Sequence, residues 1–470
     1  MKKPLSGIAL FALAAGLFAL PQCQAQITLL AVGELDGSRA GSLADLSGLK
    51  HNLENGVPAN ILGGLGSGLA YAGGNTFLAL PDRGPNAVSF DAAIDNTVSY
   101  INRYHTVTMD LDPNKSGSGL PFVLTPTLHS TTLLWSLTPL VYGKGTGLGV
   151  GSGTPSINNF LQHYFTGRSD NFDPNRNSGD PNDARFDTES IRVSNDGLTV
   201  FISDEYGPYV YQFSRITGMR LRSYRLPDNP SAPDNFYVST AKPVGTDEIG
   251  GNTSGRTANK GMEGLAITPD GRTLVGIMQN ALIQDANAGA TTLLRIVTID
   301  IFSGHVRQYA YLTTTGSGVS EIVALNDHEF LVDERDGKGR GDGSKAKVKQ
   351  LFKIDLAGAT DVSGMDGPAA ATHAVAKTLF LDLVALLTAN GITADKIPAK
   401  IEGLAFGPDV NGGGTKLHTL WVANDNDFLA SVADPDGNQI PNPNQFFVVG
   451  FTDADLAGST FVPQFRGFRF

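Results

Sequence analysis

Residues 263–280 read EGLAITPDGRTLVGIMQN. An acid leads into a short apolar run, a Pro-Asp-Gly turn follows, and a second apolar run ends in two amides. That order predicts a β-hairpin whose strands start and finish on the same side. The pattern recurs. Residues 189–207 read ESIRVSNDGLTVFISDEYG, residues 321–337 EIVALNDHEFLVDERDG with a tighter turn, and residues 402–427 EGLAFGPDVNGGGTKLHTLWVANDND with a longer one. A degenerate copy without the leading acid, GLAYAGGNTFLALPDRGPN, starts at Gly68.

Three of the four gaps between copies fit a unit of about 40–50 residues enlarged by loops, the range of propeller blades. The gap from 68 to 189 has room for another blade around His105–Leu111. The expectation is an all-β propeller of about six blades. Tyr209–Phe213, Leu293–Ile301 and Gln350–Leu356 would supply outer strands, and Leu383–Ala389 is the best short helix. Ile27–Val32 and Phe446–Phe451 would pair to close the ring and remove an exposed edge. A pair of β-sandwiches or a β-helix is the alternative, although a β-helix would repeat more regularly. The chain has 56 glycines and 25 prolines and no evident linker, so residues 26–470 form one domain. Gly143–Gly153 and Ser169–Asp183 look like long surface loops.

Residues 1–25 have the form of an export signal: Lys2 and Lys3, an apolar run over Ile8–Leu20, then small residues up to Ala25. Lipidation at Cys23 is disfavoured by the bulky Gln22 before it. Cleavage after Ala25 removes the single cysteine and moves the formal charge from −11 to −13, since Lys2 and Lys3 leave with it. A secreted or periplasmic protein without a membrane span is expected. Its acidity argues against nucleic acid and anionic membranes as partners.

Hairpin geometry brings the ends of each copy together. Glu263 should meet Gln279 and Asn280; Glu189 should meet Asp204 and Glu205. Likewise Glu321 should lie near Asp333, Glu334 and Arg335, Glu402 near Asn424 and Asp425, and the first copy adds Asp82 and Arg83. If these hairpins are inner strands, their ends converge on one mouth of the channel. Crowded carboxylates resist ionising together, and a hard cation relieves them. Ca²⁺, with six to eight oxygen ligands, is the leading cofactor and Mg²⁺ the second. The metal candidates are Glu189, Asp204, Glu263, Glu321, Asp333, Glu402 and Asp425. The absence of cysteine from the mature chain and eight scattered histidines weigh against zinc.

Ordinary turn chemistry explains Asp196, Asp270 and Asp327, and a repeated polar residue can simply bond blade to blade. Asp173-x-Asn175-x-Asn177 lacks the rest of a calcium loop, with Ser178 and Ala184 where Gly and Glu belong. Arg340-Gly341-Asp342 reads as a solvated turn. Neither a G-x-S-x-G elbow nor a P-loop is present.

LPDRGPN (80–86), ISDEYGPYVYQFSRITGMRLRSYRLP (202–227), NKGMEGLAITPDGRTL (259–274) and KIEGLAFGPD (400–409) together resemble the esterase-like phytase family, over about Leu30–Val449. The resemblance implies a propeller-like fold and phosphoester hydrolysis by repeated acids. On this chain these are Glu189, Asp204, Glu205, Glu263, Glu321, Asp333, Glu334 and Glu402. The missing acid of the first copy departs from that pattern. The leading expectation is a calcium-dependent phosphoester hydrolase acting on a small anionic substrate. In it Arg83, Arg335 and Lys260 face phosphate, Glu263 and Glu402 are essential, and Glu205 or Glu334 is acid or base. A calcium-dependent carboxyl-ester or lactone hydrolase and a non-catalytic binding propeller are the alternatives.

Overall fold

A computed structural model describes residues 27–35, 44–86, 97–143, 153–173, 176–207, 209–227 and 254–464. The export signal, most of the Gly143–Gly153 loop, Pro174 and Asn175 lie outside these residues.

Each hairpin copy is the inner half of an antiparallel sheet of four strands in line, to which blade V adds the short Val410–Gly412. Blade I contains Gly68–Gly73, Thr76–Leu80, Arg103–Pro113 and Phe122–Leu133, in order from the axis outward. Blade II contains Thr188–Val193, Thr199–Asp204, Tyr209–Ser214 and Arg220–Arg225; blade III, Met262–Ile267, Thr273–Met278, Leu293–Asp300 and Val306–Leu312. Blade IV contains Gly318–Ala324, Glu329–Arg335, Lys349–Asp355 and Lys377–Asp382. Blade V combines Ile401–Phe406, Thr415–Asn424 and Asn444–Phe451 with Thr28–Leu35 from the other end of the chain. Adjacent inner strands pack I–II–III–IV–V–I, closing a β-propeller.

The inner strands are apolar on both faces because each blade is sandwiched between two others. Successive side chains of a strand point to opposite faces. Leu265 therefore enters the core shared with blade II, beside Phe201 and Val210, while Ala266 enters the core shared with blade IV, beside Ile322 and Val332. Five such inter-blade cores complete the ring. Closure comes from antiparallel pairing of Thr28–Leu35 with Asn444–Phe451, as the apolar ends of the chain led us to expect.

The described residues form five blades, not six. His105–Leu111 lies in the third strand of blade I, paired with Thr76–Leu80 on one side and Phe122–Leu133 on the other. What looked like room for a blade is filled by these two long strands and by the connector from 134 to 187. Among its described residues, the connector contributes the short strand pair Trp135–Ser136 and His163–Tyr164 and a few isolated bridges. Leu383–Ala389 is helical, with the Asp382 side chain accepting from Ala385 N.

Candidate functional site at the channel mouth

The inner hairpins of blades II to V each carry a bulge near their start, whereas that of blade I has its irregularity beside the turn, between Tyr71 and Gly73. In blade III the register jumps from Met262↔Met278 to Gly264↔Ile277, leaving Glu263 unpaired. The jump falls between Thr188 and Ile191 in blade II and between Ile401 and Leu404 in blade V, at Glu189 and Glu402. A bulge frees its extra residue from the ladder and re-aims its side chain; here the three glutamates line the mouth cavity. In blade I the equivalent residue, read back from Gly68↔Leu80, is Ser67, which donates to Glu189 Oε2 at 3.0 Å. The missing acid of the first copy is thus replaced by a donor to the acid of the second.

Blade IV departs from the expected alignment. Its bulge lies between Val319 and Glu321, so Ser320, not Glu321, occupies the place of Glu263. Glu321 is the counterpart of Gly264, Ser190, Gly403 and Gly68. A one-residue slip sends side chains to the other face, and Glu321 is directed away from the mouth and fully buried. It accepts from Ser190 Oγ, Leu265 N and Ile322 N and pairs with Arg192 at 2.8 Å. Arg192 also donates to Leu69 O and Ile322 O, so this ion pair ties blades I to IV together beneath the mouth.

The returning strands supply a second tier. Asp82, Glu205, Gln279, Arg335 and Asp425 are equivalent positions in blades I to V. Gln279 Nε2 donates to Glu263 Oε1 at 2.9 Å, and Arg335 bonds Ser320 Oγ and Glu402 Oε1. The mouth cavity has a volume of about 360 Å³; of the sequence candidates its lining takes in Asp82, Arg83, Glu189, Glu205, Lys260, Glu263, Gln279, Arg335 and Glu402.

The other candidates lie elsewhere. Asp204 is a structural brace: its carboxylate accepts from the backbone N–H groups of Asp187, Tyr206 and Gly207. Glu334 is buried, bonded to Tyr311 Oη and Lys377 Nζ, because its strand position turns it from the mouth toward the neighbouring blade. Asp333, directly opposite Glu321 in the ladder, is fully buried with neither oxygen hydrogen-bonded, and burial pushes its pKa up to about 8. Asp425 borders the mouth but is held by Lys400 at 2.8 Å. Of the amides expected from the hairpin ends, Asn424 caps Gln445 N and Gln279 lines the cavity.

Three mouth residues escaped sequence reasoning. Lys400 and Asn259 line the cavity. Asp187, two residues before Glu189, places a carboxylate oxygen within 4.8 Å of oxygens from Glu189 and Glu205. Arg83 Nη1 binds Asp187 Oδ2 at 2.8 Å and lies 3.8 Å from Glu205 Oε2, whereas Asp187 Oδ1 is buried without a hydrogen-bond partner. Burial, reinforced by neighbouring carboxylates, raises Glu189 and Glu205 well above the usual range. Burial also lifts Glu263 to about 8, with repulsion from Glu402 next, and lifts Glu402 to about 7 against the pull of Arg335. Asp425 runs the other way: burial would raise it, but Lys400 holds it below the ordinary carboxylate value.

A 178-residue stretch is 34% identical to an uncharacterized secreted protein of Arthroderma benhamiae; it spans 32% of this chain and only 34% of that relative. Among solved structures, a periplasmic gluconolactonase of Pseudomonas aeruginosa aligns over 90% of this chain and 99% of its own, at 13% identity and a TM-score of 0.33. Hydrazine synthase of Kuenenia stuttgartiensis aligns over 77% and 78%, at 11% identity and a TM-score of 0.33. The family model described as phytase-like, esterase-like activity of phytase, matches residues 60–428. That match takes in all five inner hairpins and both tiers of the mouth, and the chain belongs to the phytase-like family.

Proposed function

We propose that this protein is a secreted, calcium-dependent phosphoester hydrolase that works at the mouth of its propeller. One observation carries the reading: an oxygen-only acid cluster with a buried, unbonded Asp187 Oδ1 shares a cavity wall with the cations Arg83, Arg335 and Lys400. A carboxylate oxygen shut away from water without a partner is costly, and a hard divalent cation held by Asp187, Glu189 and Glu205 would relieve it. When bound, calcium supplies positive charge for the phosphate and lowers the pKa of an attacking water.

The remaining chemistry belongs to the chain. Arg335, Lys400, Arg83 and the exposed Lys260 gather the phosphate oxygens and hold the reacting phosphorus in place. Arg335 hydrogen-bonds Glu402 and lies 4.0 Å from Glu263, so both acids face the same charge. Burial holds Glu263 near 8, while the pull of Arg335 keeps Glu402 lower, near 7, an ordering that suits an acid–base pair. Glu402 takes a proton from water as the water oxygen bonds to phosphorus. Glu263, protonated at neutral pH, gives its proton to the alcohol oxygen as the P–O bond breaks. Inorganic phosphate and the free alcohol result. The charged lining supports this reading over carboxyl-ester or lactone hydrolysis, which would favour an apolar mouth. Secretion draws support from the name of the fungal relative and from the export-signal pattern of residues 1–25.

The test is phosphate release from calcium-saturated phytate by the mature protein, with and without a calcium chelator, alongside an aryl carboxyl ester and a lactone. Chelator-sensitive phosphate release is expected. Cleavage of only the ester or lactone, or no turnover by folded, calcium-loaded protein, would overturn the proposal.

A further inference from the structure

The channel has a second opening, away from the acids. Each inner strand runs from the acid mouth to its turn, and residues near the turn ends surround this far opening: Tyr71, Val193, Ile267, Ala324 and Phe406, one from each blade. Residues 452–464 cross it. After the last strand of blade V, Asp453–Leu456 makes a 3₁₀ turn with a capping box at Thr452, and Ala457 and Gly458, at φ of 50° and 93°, reverse the chain. Lys353 of blade IV donates to Leu456 O at 2.7 Å and to Ser459 Oγ at 2.5 Å, and Val462 N donates to Leu325 O at 2.8 Å. Phe461 is buried against Phe406 and His418 of blade V, with ring centroids 4.6 and 4.9 Å away. Gln464 then reaches blade II, where its amide donates to Val193 O at 2.8 Å and to Asn195 Oδ1 at 2.6 Å.

Blades V and II are not neighbours in the ring, so a segment bonded to II, IV and V docks only on a closed propeller. Phe461, Pro463 and Gln464 leave beneath them a cavity of about 90 Å³. Arg192 forms part of its wall, and Arg192 in turn holds the buried Glu321. Hydrogen bonds and ion pairs are strong where water does not compete for them, and this pair carries the cross-axis tie between blades. We infer that residues 459–464 are a plug in the far opening, which keeps water from the channel behind Arg192 and holds the Arg192–Glu321 tie dry. The inference does not rest on the hydrolytic reading of the acid mouth.

Hydrogen exchange tests it on the mature protein, on a chain ending at Gly458 and on the Phe461→Ala/Gln464→Ala variant of full length. Leu265 N–H and Ile322 N–H, both donated to Glu321, report water in the channel. The amides around Ile296 and Tyr309, in the outer half of blade III, report general loosening. Exchange at Leu265 and Ile322 should quicken about a hundredfold in the shortened chain and about tenfold in the double variant, with less than about a threefold change around Ile296 and Tyr309. The double variant decides by itself if the shortened chain does not fold. Equal quickening of both sets, which marks a general loss of stability, or unchanged exchange at Leu265 and Ile322, would overturn the plug.

Discussion

Replacing Glu321 by alanine should destabilise the whole propeller without touching the proposed calcium site. Glu321 is fully buried; Oε1 accepts from Leu265 N at 3.0 Å and Ile322 N at 2.9 Å, and Oε2 accepts from Ser190 Oγ at 2.8 Å and pairs with Arg192 at 2.8 Å. Glu321→Ala leaves the Arg192 guanidinium buried among carbonyls and strips two backbone donors and a hydroxyl of their acceptor. Breaking a buried pair from one side costs about 3–5 kcal/mol, and each orphaned donor adds on the order of 1 kcal/mol where water does not reach it. These contributions overlap, and about 4 kcal/mol is the expected loss in unfolding free energy. The double variant Arg192→Met/Glu321→Met removes both charges at similar volume and should cost less than Arg192→Met or Glu321→Met alone, so that cycle should show about 2 kcal/mol of coupling or more. Guanidinium unfolding, run with calcium and with chelator, measures both quantities. A ligand of the cation would lose its effect on chelation, whereas the cost of Glu321→Ala should be the same in both. A loss under about 1 kcal/mol, simple additivity, or a penalty that disappears with chelator would refute the assignment of this pair as the tie between blades.

Three further outcomes are expected. In chelator, the protein should melt at lower temperature as pH rises from 5 to 8.5. Glu263 and Glu402, with folded values near 8 and 7 against 4.5, bind more protons folded than unfolded across that range, so stability falls as they ionise; added calcium should flatten the trend, and a flat or rising profile in chelator would contradict the crowding. Glu263→Gln and Glu402→Gln should each lower kcat by about 10²–10⁴-fold, the usual contribution of a general acid or base, with melting little changed; near-normal turnover would remove them from the mechanism. Deleting residues 1–35 takes away the strand that covers Asn444–Phe451 and the burial of Leu29, Leu30 and Ala31, on the order of 5 kcal/mol by area. The truncated chain should melt earlier and self-associate through the bared edge; a monomer melting like the full chain would refute the closure.

The ring was legible in the sequence because a propeller makes the same demand of every blade. An inner hairpin packed on both faces reads as two apolar runs around a turn, and Glu189, Glu263 and Glu402 mark where each begins. The blade count was less legible, since strand length is set by what lies outside: Arg103–Pro113 and Phe122–Leu133 run far past their inner neighbours and imitate a separate unit. Asp187 and Lys400 were missed because neither falls inside the repeated acid–strand–turn–strand frame. Asp187 reaches the mouth by being braced on Asp204 across the hairpin, a tertiary relation that the spacing of residues 187 and 204 does not announce.

The slip in blade IV was, in contrast, discoverable. Aligning Glu321 with Glu263 puts Ile322 where Gly264, Gly403 and Gly68 sit, a place with no room for a Cβ in blades I, III and V and held by the small Ser190 in blade II. A Cβ on Gly264 would lie 2.8 Å from Ile322 N of the next blade, one on Gly68 2.8 Å from Glu189 O, and one on Gly403 2.9 Å from Gly66 O. Neighbouring inner strands touch there, so a β-branched side chain in that place would force them apart. Moving the alignment by one residue puts Ile322 beside Leu265 in the apolar frame and Ser320 at the bulge. Glu321 then stands where its carboxylate can accept the backbone N–H groups that the close approach exposes. The same shift gives Arg335 the position that holds an amide in blade III and acids in blades I, II and V. The mouth is therefore an acid ring with one cationic gap, and that gap follows from the place of a single bulge in blade IV.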